Sequence, residues 1–110
     1  MGYSIDANTK KIFLTRGDTF RVQLQIVNGN EIYVPSENDS IRFSMKRTYT
    51  SNVVLIHKDI PNDTMVLTLN PEDTKNLPFG MYVYDMEITF ENGDVYTFLS
   101  GWLKLLPEVE

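Results

Sequence analysis

The residues that could do chemistry in this 110-residue chain are few and scattered. His57 is the only histidine, and no G-x-S-x-G segment supplies the exposed nucleophile that a Ser–His–Asp triad requires. The chain has no cysteine, so neither a disulfide framework nor a thiolate metal site is available. We therefore interpret His57 as a surface histidine on an edge strand, and we expect the chain not to be an enzyme.

Acidic loops are the remaining candidates for metal binding. Glu37-Asn38-Asp39 and Glu91-Asn92-Gly93-Asp94 bring oxygen-bearing side chains together, as calcium loops do. Turns favour the same residue types, so we interpret these segments as turns and predict no metal and no cofactor. Arg16-Gly17-Asp18 matches a tripeptide that cell adhesion receptors bind. Between two strands it is interpreted as a turn, in which Gly17 supplies a positive φ.

Charge and hydropathy exclude two classes of partner. The formal net charge is −5, and the ten Lys and Arg residues are dispersed, whereas nucleic-acid binding requires a concentrated basic face. No apolar run approaches the ~20 residues of a membrane span. The first 13 residues lack the apolar centre and cleavage site of a signal peptide. We therefore expect no nucleic-acid partner, no membrane insertion and no secretion signal.

Period-two alternation dominates the chain and predicts strands. Buried and exposed residue types alternate over residues 20–26, 41–46, 81–90 and 95–106, Asn28-Gly29 and Asn92-Gly93 mark hairpins, and residues 53–58 suggest an edge strand. Asn70 as N-cap and Pro71 at the first helical position predict one short helical turn near 71–77. The prediction is an all-β chain, an immunoglobulin-like two-sheet antiparallel β-sandwich with that single turn. Residues 1–110 form one domain, with residues 1–10 a candidate flexible arm.

The last hairpin can be assigned a register from its turn. A two-residue turn at Asn92-Gly93 predicts five pairs along the hairpin: Phe90 with Val95, Ile88 with Thr97, Met86 with Leu99, Tyr84 with Gly101, and Tyr82 with Leu103. The opposite face then carries four large apolar residues where a sandwich sheet is normally polar: Val83, Tyr96, Phe98 and Trp102. Either these four form a protein-contact surface, or a loop or the N-terminal strand folds over them.

The segment Leu77-Pro78-Phe79-Gly80-Met81-Tyr82 resembles the tyrosine corner of immunoglobulin-like domains, in which a tyrosine hydrogen-bonds back to the preceding corner. The Cys and Trp markers of antibody domains are absent, so this resemblance concerns architecture.

Four further segments carry a resemblance to a phage family. They are Leu14-Thr15-Arg16-Gly17-Asp18-Thr19, the segment from Asn70 to Leu77, the segment from Gly80 to Met86, and the closing Gly-x-Leu-x-Leu-x-Pro-Glu-Val that starts at Gly101. Together they resemble short prophage proteins of Gram-positive gut bacteria, which are similar to the N-terminal β-sandwich module of phage baseplate upper proteins. The resemblance spans roughly residues 11–109.

The resemblance implies a structural or assembly protein of a phage tail or baseplate. Its partners would be itself or other phage structural proteins, and it would reside in the bacterial host cytoplasm during assembly and then in the virion. Phe98→Glu is expected to dissociate such an assembly and leave the fold intact. Two alternatives stay open: a small carbohydrate-binding module with Trp102 and Tyr96 as a sugar platform, and an immunoglobulin-like domain of a bacterial surface.

Overall fold

The computed structural model describes residues 3–5 and 9–108, and the chain is mostly β-strand with one helical turn. The strands are β1 (Tyr3–Ile5), β2 (Ile12–Thr15), β3 (Phe20–Gln23), β4 (Ile26–Asn28), β5 (Glu31–Tyr33), β6 (Ser40–Lys46), β7 (Ile56–Ile60), β8 (Val66–Leu69), β9 (Gly80–Thr89) and β10 (Val95–Leu106). The helical turn α1 (Pro71–Thr74) lies between β8 and β9. No helix within these residues is long and apolar enough to cross a membrane.

Six strands form the main sheet, in the order β1-β2-β10-β9-β6-β7. Its neighbours are antiparallel except for β2 and β10, which run parallel from Ile12–Leu103 to Thr15–Leu106. The expectation of a wholly antiparallel fold is therefore wrong at this pair. The physical reason is that β2 and β10 are far apart in the chain, so no hairpin turn fixes their relative direction. The backbone N–H of Arg16 extends the pairing by donating to the Leu106 carbonyl at 2.9 Å.

The edges of the main sheet are β1 and β7. Of the candidate N-terminal arm, Tyr3–Ile5 pairs with β2, while residues 1, 2 and 6–8 lie outside the described residues. At the other edge, β7 occupies Ile56–Ile60 and pairs with β6. An edge strand was predicted there, but over residues 53–58, so its start was placed three residues too early.

Two small two-stranded sheets complete the fold, β3 with β8 and β4 with β5. The single strand predicted over residues 20–26 is divided between them, because the chain changes its pairing partner at Leu24, whose N–H donates to the Met65 carbonyl at 2.8 Å. The predicted hairpin after β4 is confirmed. Asn28 pairs with Glu31, and the two-residue turn between them contains Gly29 at φ +65°.

The three sheets bury one hydrophobic cluster between them. In β6, Ile41, Phe43 and Met45 point into this cluster and the residues between them point out, as the period of two requires. Fully buried members come from β2, β3, β4, β6, β8, β9 and β10: Leu14, Phe20, Ile26, Phe43, Leu67, Tyr84, Met86, Ile88 and Leu103. The cluster side of the main sheet is called its inner face below, and the opposite side its outer face.

The helical turn ends earlier than residue 77, although it begins where the sequence predicts. The Asp73 side chain accepts a hydrogen bond from the Asn70 backbone N–H at 2.7 Å, which closes the first turn, and the turn ends at Thr74. The tyrosine corner predicted after the helical turn is present. The hydroxyl of Tyr82, at the start of β9, donates a hydrogen bond to the Pro78 carbonyl four residues upstream.

Candidate protein-contact surface

The register of β9 and β10 decides which aromatic residues share a face. The predicted pairs Met86–Leu99, Tyr84–Gly101 and Tyr82–Leu103 are confirmed. Closer to the turn every predicted pair is wrong by one residue: Ile88 faces Tyr96 and Thr89 faces Val95.

Two irregularities cause this shift. The turn has three residues, 91–93, because the Phe90 N–H donates to the Asp94 carbonyl at 2.7 Å and Gly93 adopts φ +94°. A β-bulge between Thr97 and Leu99 then inserts Phe98 as an extra residue, which restores the predicted register beyond it. An extra residue reverses the in–out alternation of everything on its far side.

Val83 and Trp102 lie together on the outer face, as predicted, and pair directly across β9 and β10. Val83 is only 3% exposed and yet is not part of the core cluster. It is covered from the outside, with Lys46 beside it on β6 and Trp102 on β10. The indole of Trp102 itself is 43% exposed.

Tyr96 and Phe98 do not join them, which corrects the prediction of a single contact face. Tyr96 pairs with the fully buried Ile88, so it lies on the inner side of the sheet, where it is 44% exposed beyond the edge of the core. Phe98 is the bulge residue, is partly buried and packs against the core. The bulge is the physical reason, because without it residues 96, 98 and 102 would share one face.

Tyr49 supplies the aromatic neighbour of Trp102 that sequence reasoning missed. Its ring is 61% exposed and meets the indole edge to face, with centroids 6.2 Å apart and an interplanar angle of 77°. Tyr49 belongs to the loop between β6 and β7, which also exposes Val53, Val54 and Leu55. We call the set of Tyr49, Val53, Val54, Leu55 and Trp102 the Trp102 face. The apolar run at 53–55 was the available signal, but it was assigned to the edge strand.

Two cations border the Trp102 face. Lys46 pairs with Val83, and Lys104 lies two residues beyond Trp102 on the same side of β10. The guanidinium of Arg47 instead lies over the ring of the buried Tyr82, 4.8 Å from its centroid. The outer face also carries Asp85 and Glu87, but Arg42 binds both, at 2.7 Å and 2.8 Å. A cavity of about 140 Å³ lies beside Tyr49 and is lined by Ser44, Lys46, Tyr49, Val83, Tyr84 and Asp85.

A second exposed apolar region lies near the tips of the two hairpins. Val27 and Ile32 pair directly across β4 and β5, and both are exposed, as are Val34, Val95 and Tyr96. We call these five residues the hairpin end. Its charged neighbours are acidic, namely Glu31, Glu91 and Asp94, and neither residues 22–41 nor residues 88–103 contain Lys or Arg.

A buried carboxylate links the β4–β5 hairpin to the turn of the β9–β10 hairpin. Asp39 accepts hydrogen bonds from the Tyr33 hydroxyl at 2.5 Å, the Ser36 N–H at 2.9 Å and the Glu91 N–H at 3.1 Å. The Tyr33 hydrogen bond, followed by the backbone donors, lowers the pKa of Asp39, and the same contact raises the pKa of Tyr33. The carboxylate thus joins β5, the loop after it and the turn of the β9–β10 hairpin.

The other candidate residues have ordinary structural positions. His57 is exposed on the edge strand β7, 3.4 Å from Asp59. Gly17 has the predicted positive φ of +83°, and Arg16 binds Glu108 at 2.8 Å and stacks on the Phe79 ring at 4.0 Å. Within the described part of the chain, no three His, Cys, Asp or Glu side chains cluster so that they could hold a metal ion.

Comparison with known proteins assigns no family to the chain. No protein-family model matches it, and no curated protein does. Among solved structures, the crystal structure of CopC from Methylosinus trichosporium OB3b is similar with a TM-score of 0.40 and 15% sequence identity. The similarity covers 64% of this chain and 65% of that chain, which is less than two thirds of CopC. A similarity this weak says nothing about function.

Proposed function

We propose that this chain is a non-catalytic assembly protein that works through protein–protein contacts, of the phage tail or baseplate kind that its sequence resembles. The observation that carries the proposal is the Trp102 face. It brings two exposed aromatic rings into contact, and the loop that carries Tyr49 exposes three aliphatic side chains as well. Large exposed apolar clusters mark interaction sites, and aromatic residues contribute a disproportionate share of interface energy.

The rest of the outer face supports a contact role for this cluster. Around Arg42 the same sheet surface is polar and satisfied by ion pairs with Asp85 and Glu87, as expected for a face in water. The apolar residues are concentrated at one end, where the loop between β6 and β7 presents them. Affinity would therefore come from buried apolar area, with Lys46 and Lys104 steering the partner.

The proposal includes an immunoglobulin-like two-sheet sandwich as the scaffold. Two observations support it: the Tyr82–Pro78 corner hydrogen bond and the single core shared by all the sheets. The phage assignment is supported by the sequence resemblance alone. It implies that the protein works in the bacterial host cytoplasm during assembly and then in the virion.

Carbohydrate binding is the second candidate, and the pairing of Tyr49 with Trp102 favours it. Exposed rings beside a cavity with polar groups such as Ser44 and Asp85 could bind a sugar. The predicted platform of Trp102 with Tyr96 is not formed, because these two lie on opposite faces of the sheet. The edge-to-face angle of 77° also prevents Tyr49 and Trp102 from stacking on the same sugar face. Geometry thus favours protein contact.

The test compares wild type, Tyr49→Glu and the control Arg21→Glu. The control lies on β3, outside both apolar regions, and makes the charge more negative by two units, against one unit for Tyr49→Glu. Light scattering from about 1 µM to about 1 mM measures mass, and calorimetry with soluble cell-wall glycans measures sugar binding. Assembly predicts a mass that rises with concentration in wild type and Arg21→Glu but not in Tyr49→Glu, without a glycan signal. A monomeric wild type that binds glycan, and loses that binding in Tyr49→Glu, would contradict the proposal.

A further inference from the structure

The two exposed apolar regions carry opposite charge. The Trp102 face is bordered by Lys46 and Lys104, and the nearby acids Asp85 and Glu87 are both bound by Arg42. The hairpin end is bordered by acids, within two stretches of sequence that contain no Lys or Arg. One chain therefore carries both halves of a complementary pair of surfaces.

The two regions also lie far apart and point in different directions. Trp102 pairs with Val83, whereas the hairpin end begins where Val95 pairs with Thr89, six residues further along β9. At about 3.3 Å per residue, this separates them by about 20 Å along the strands. Trp102 is on the outer face, whereas Tyr96 is on the inner side and Val27 and Ile32 belong to a different sheet; of the hairpin end, Val95 shares the outer face with Trp102. A single copy cannot bring its own two regions together, but two copies can.

We propose that the hairpin end of one copy of this chain docks on the Trp102 face of a second copy. This inference rests on the proposed assembly function and names its partner. Val27, Ile32 and Val34 of the first copy contact Tyr49 and Trp102 of the second. The acids beside the hairpin then face the cations around Trp102.

Like-to-like pairing is disfavoured by the same charges. Two Trp102 faces would bring Lys46 and Lys104 of one copy against those of the other, and two hairpin ends would bring Glu31 and Asp94 together. Like charges across an interface oppose association, so the complementary arrangement is selected. Because the two halves of this contact are different surfaces, each docked pair leaves one surface of each kind free, and the contact propagates into a ring or a filament.

The size of the surfaces permits both contacts at once. A stable interface buries about 800 Å² on each partner. This is about a ninth of the 6939 Å² of accessible surface of the chain, and the two regions do not overlap. The strands β4 and β5 pair only with each other among the described residues, and the hairpin face that carries Val27 and Ile32 is exposed, while Ile26 and Tyr33 pack on the core.

The experiment mixes two variants that each disable one surface. Tyr49→Glu puts an acid into the Trp102 face, and Ile32→Lys puts a cation into the hairpin end; both side chains are largely exposed, so both proteins should fold. Circular dichroism and thermal unfolding check this, and Arg21→Glu is again the control. Light scattering then follows each protein alone and the 1:1 mixture.

Wild type and Arg21→Glu should grow past a dimer with rising concentration, and raising the salt from about 0.05 M to about 0.5 M should weaken this growth several-fold. Each variant alone should be a monomer. The mixture should form a 1:1 heterodimer and stop, because one intact surface remains on each partner.

Two results would overturn the inference, and they bear differently on the proposed function. If Ile32→Lys alone assembles as wild type does while Tyr49→Glu does not, the Trp102 face pairs with itself, and the assembly function survives without head-to-tail docking. If wild type is monomeric at every concentration and binds glycan through Tyr49, both proposals fail.

Discussion

The sharpest stability prediction concerns the Lys10 carbonyl, which lies against Tyr84 of β9 and Gly101 of β10. This carbonyl accepts a hydrogen bond from the Tyr84 hydroxyl at 2.6 Å, and Lys10 has a left-handed φ of +61°. Gly101 pairs with Tyr84, and a Cβ at Gly101 would lie 2.7 Å from this same carbonyl oxygen. Because the contact is with backbone, Gly101→Ala must displace the Lys10 carbonyl, and we expect a cost of about 1–3 kcal/mol.

Displacing the Lys10 carbonyl also breaks its hydrogen bond with the Tyr84 hydroxyl, so the effects of substituting Gly101 and Tyr84 should be coupled. Tyr84→Phe removes one hydrogen bond from a partly buried carbonyl and should cost about 1–2 kcal/mol. If Gly101→Ala already breaks that bond, the double variant should be more stable than the sum of the single effects predicts, by about 1 kcal/mol.

Urea unfolding followed by far-ultraviolet circular dichroism measures all four free energies of unfolding. A difference of 1 kcal/mol is resolvable against the about 5–15 kcal/mol expected for a domain of this size. Strict additivity would show that the Lys10 carbonyl does not couple the two residues. If Gly101→Ala left the free energy of unfolding unchanged, the Lys10 carbonyl would not lie as close to residue 101 as the structure shows.

Three further predictions concern the corner, the buried carboxylate and the aromatic residues. Tyr82→Phe should cost about 1–2 kcal/mol in urea unfolding, since it removes the corner hydrogen bond to Pro78. Asp39→Asn should lower the thermal midpoint at pH 7 and reduce its fall below about pH 4. The folded-state pKa of Asp39 lies below its unfolded value, so its contribution is present above the unfolded pKa and lost as pH falls through the folded one. An unchanged acid profile would contradict this. Phe98→Glu should cost about 2–4 kcal/mol, against about 1 kcal/mol for Trp102→Glu, because Phe98 packs on the core; equal costs would refute that distinction.

Local signals in the sequence were sufficient for most of the elements. Alternation over residues 41–46 predicted β6 because its outward residues face water, so the pattern reports burial directly. Asn70 and Pro71 marked the start of the helical turn because capping depends on neighbouring residues only. The Tyr82 corner was also predictable, since its hydrogen bond spans four residues.

Long-range and irregular features were not predictable in this way. The parallel pairing of β2 with β10 depends on which strands meet after folding, and neither strand carries a local signal of direction. The β-bulge at Phe98 adds one residue within an otherwise regular apolar strand, where any of several positions could accept it. Tyr49 lies in a loop, where periodicity gives no information about neighbours.

The bulge at Phe98 has the largest consequence for the proposed docking between copies. A regular β10 would place Tyr96, Phe98 and Trp102 on one outer surface and leave the hairpin end without its tyrosine. With the bulge, Phe98 packs on the core and Tyr96 turns to the inner side of the sheet, while Trp102 remains on the outer face between Lys46 and Lys104. One self-complementary aromatic surface would favour closed pairs of molecules. Two smaller surfaces of opposite charge at separate ends favour a directional contact that can repeat, which is the geometry that a multi-copy assembly requires.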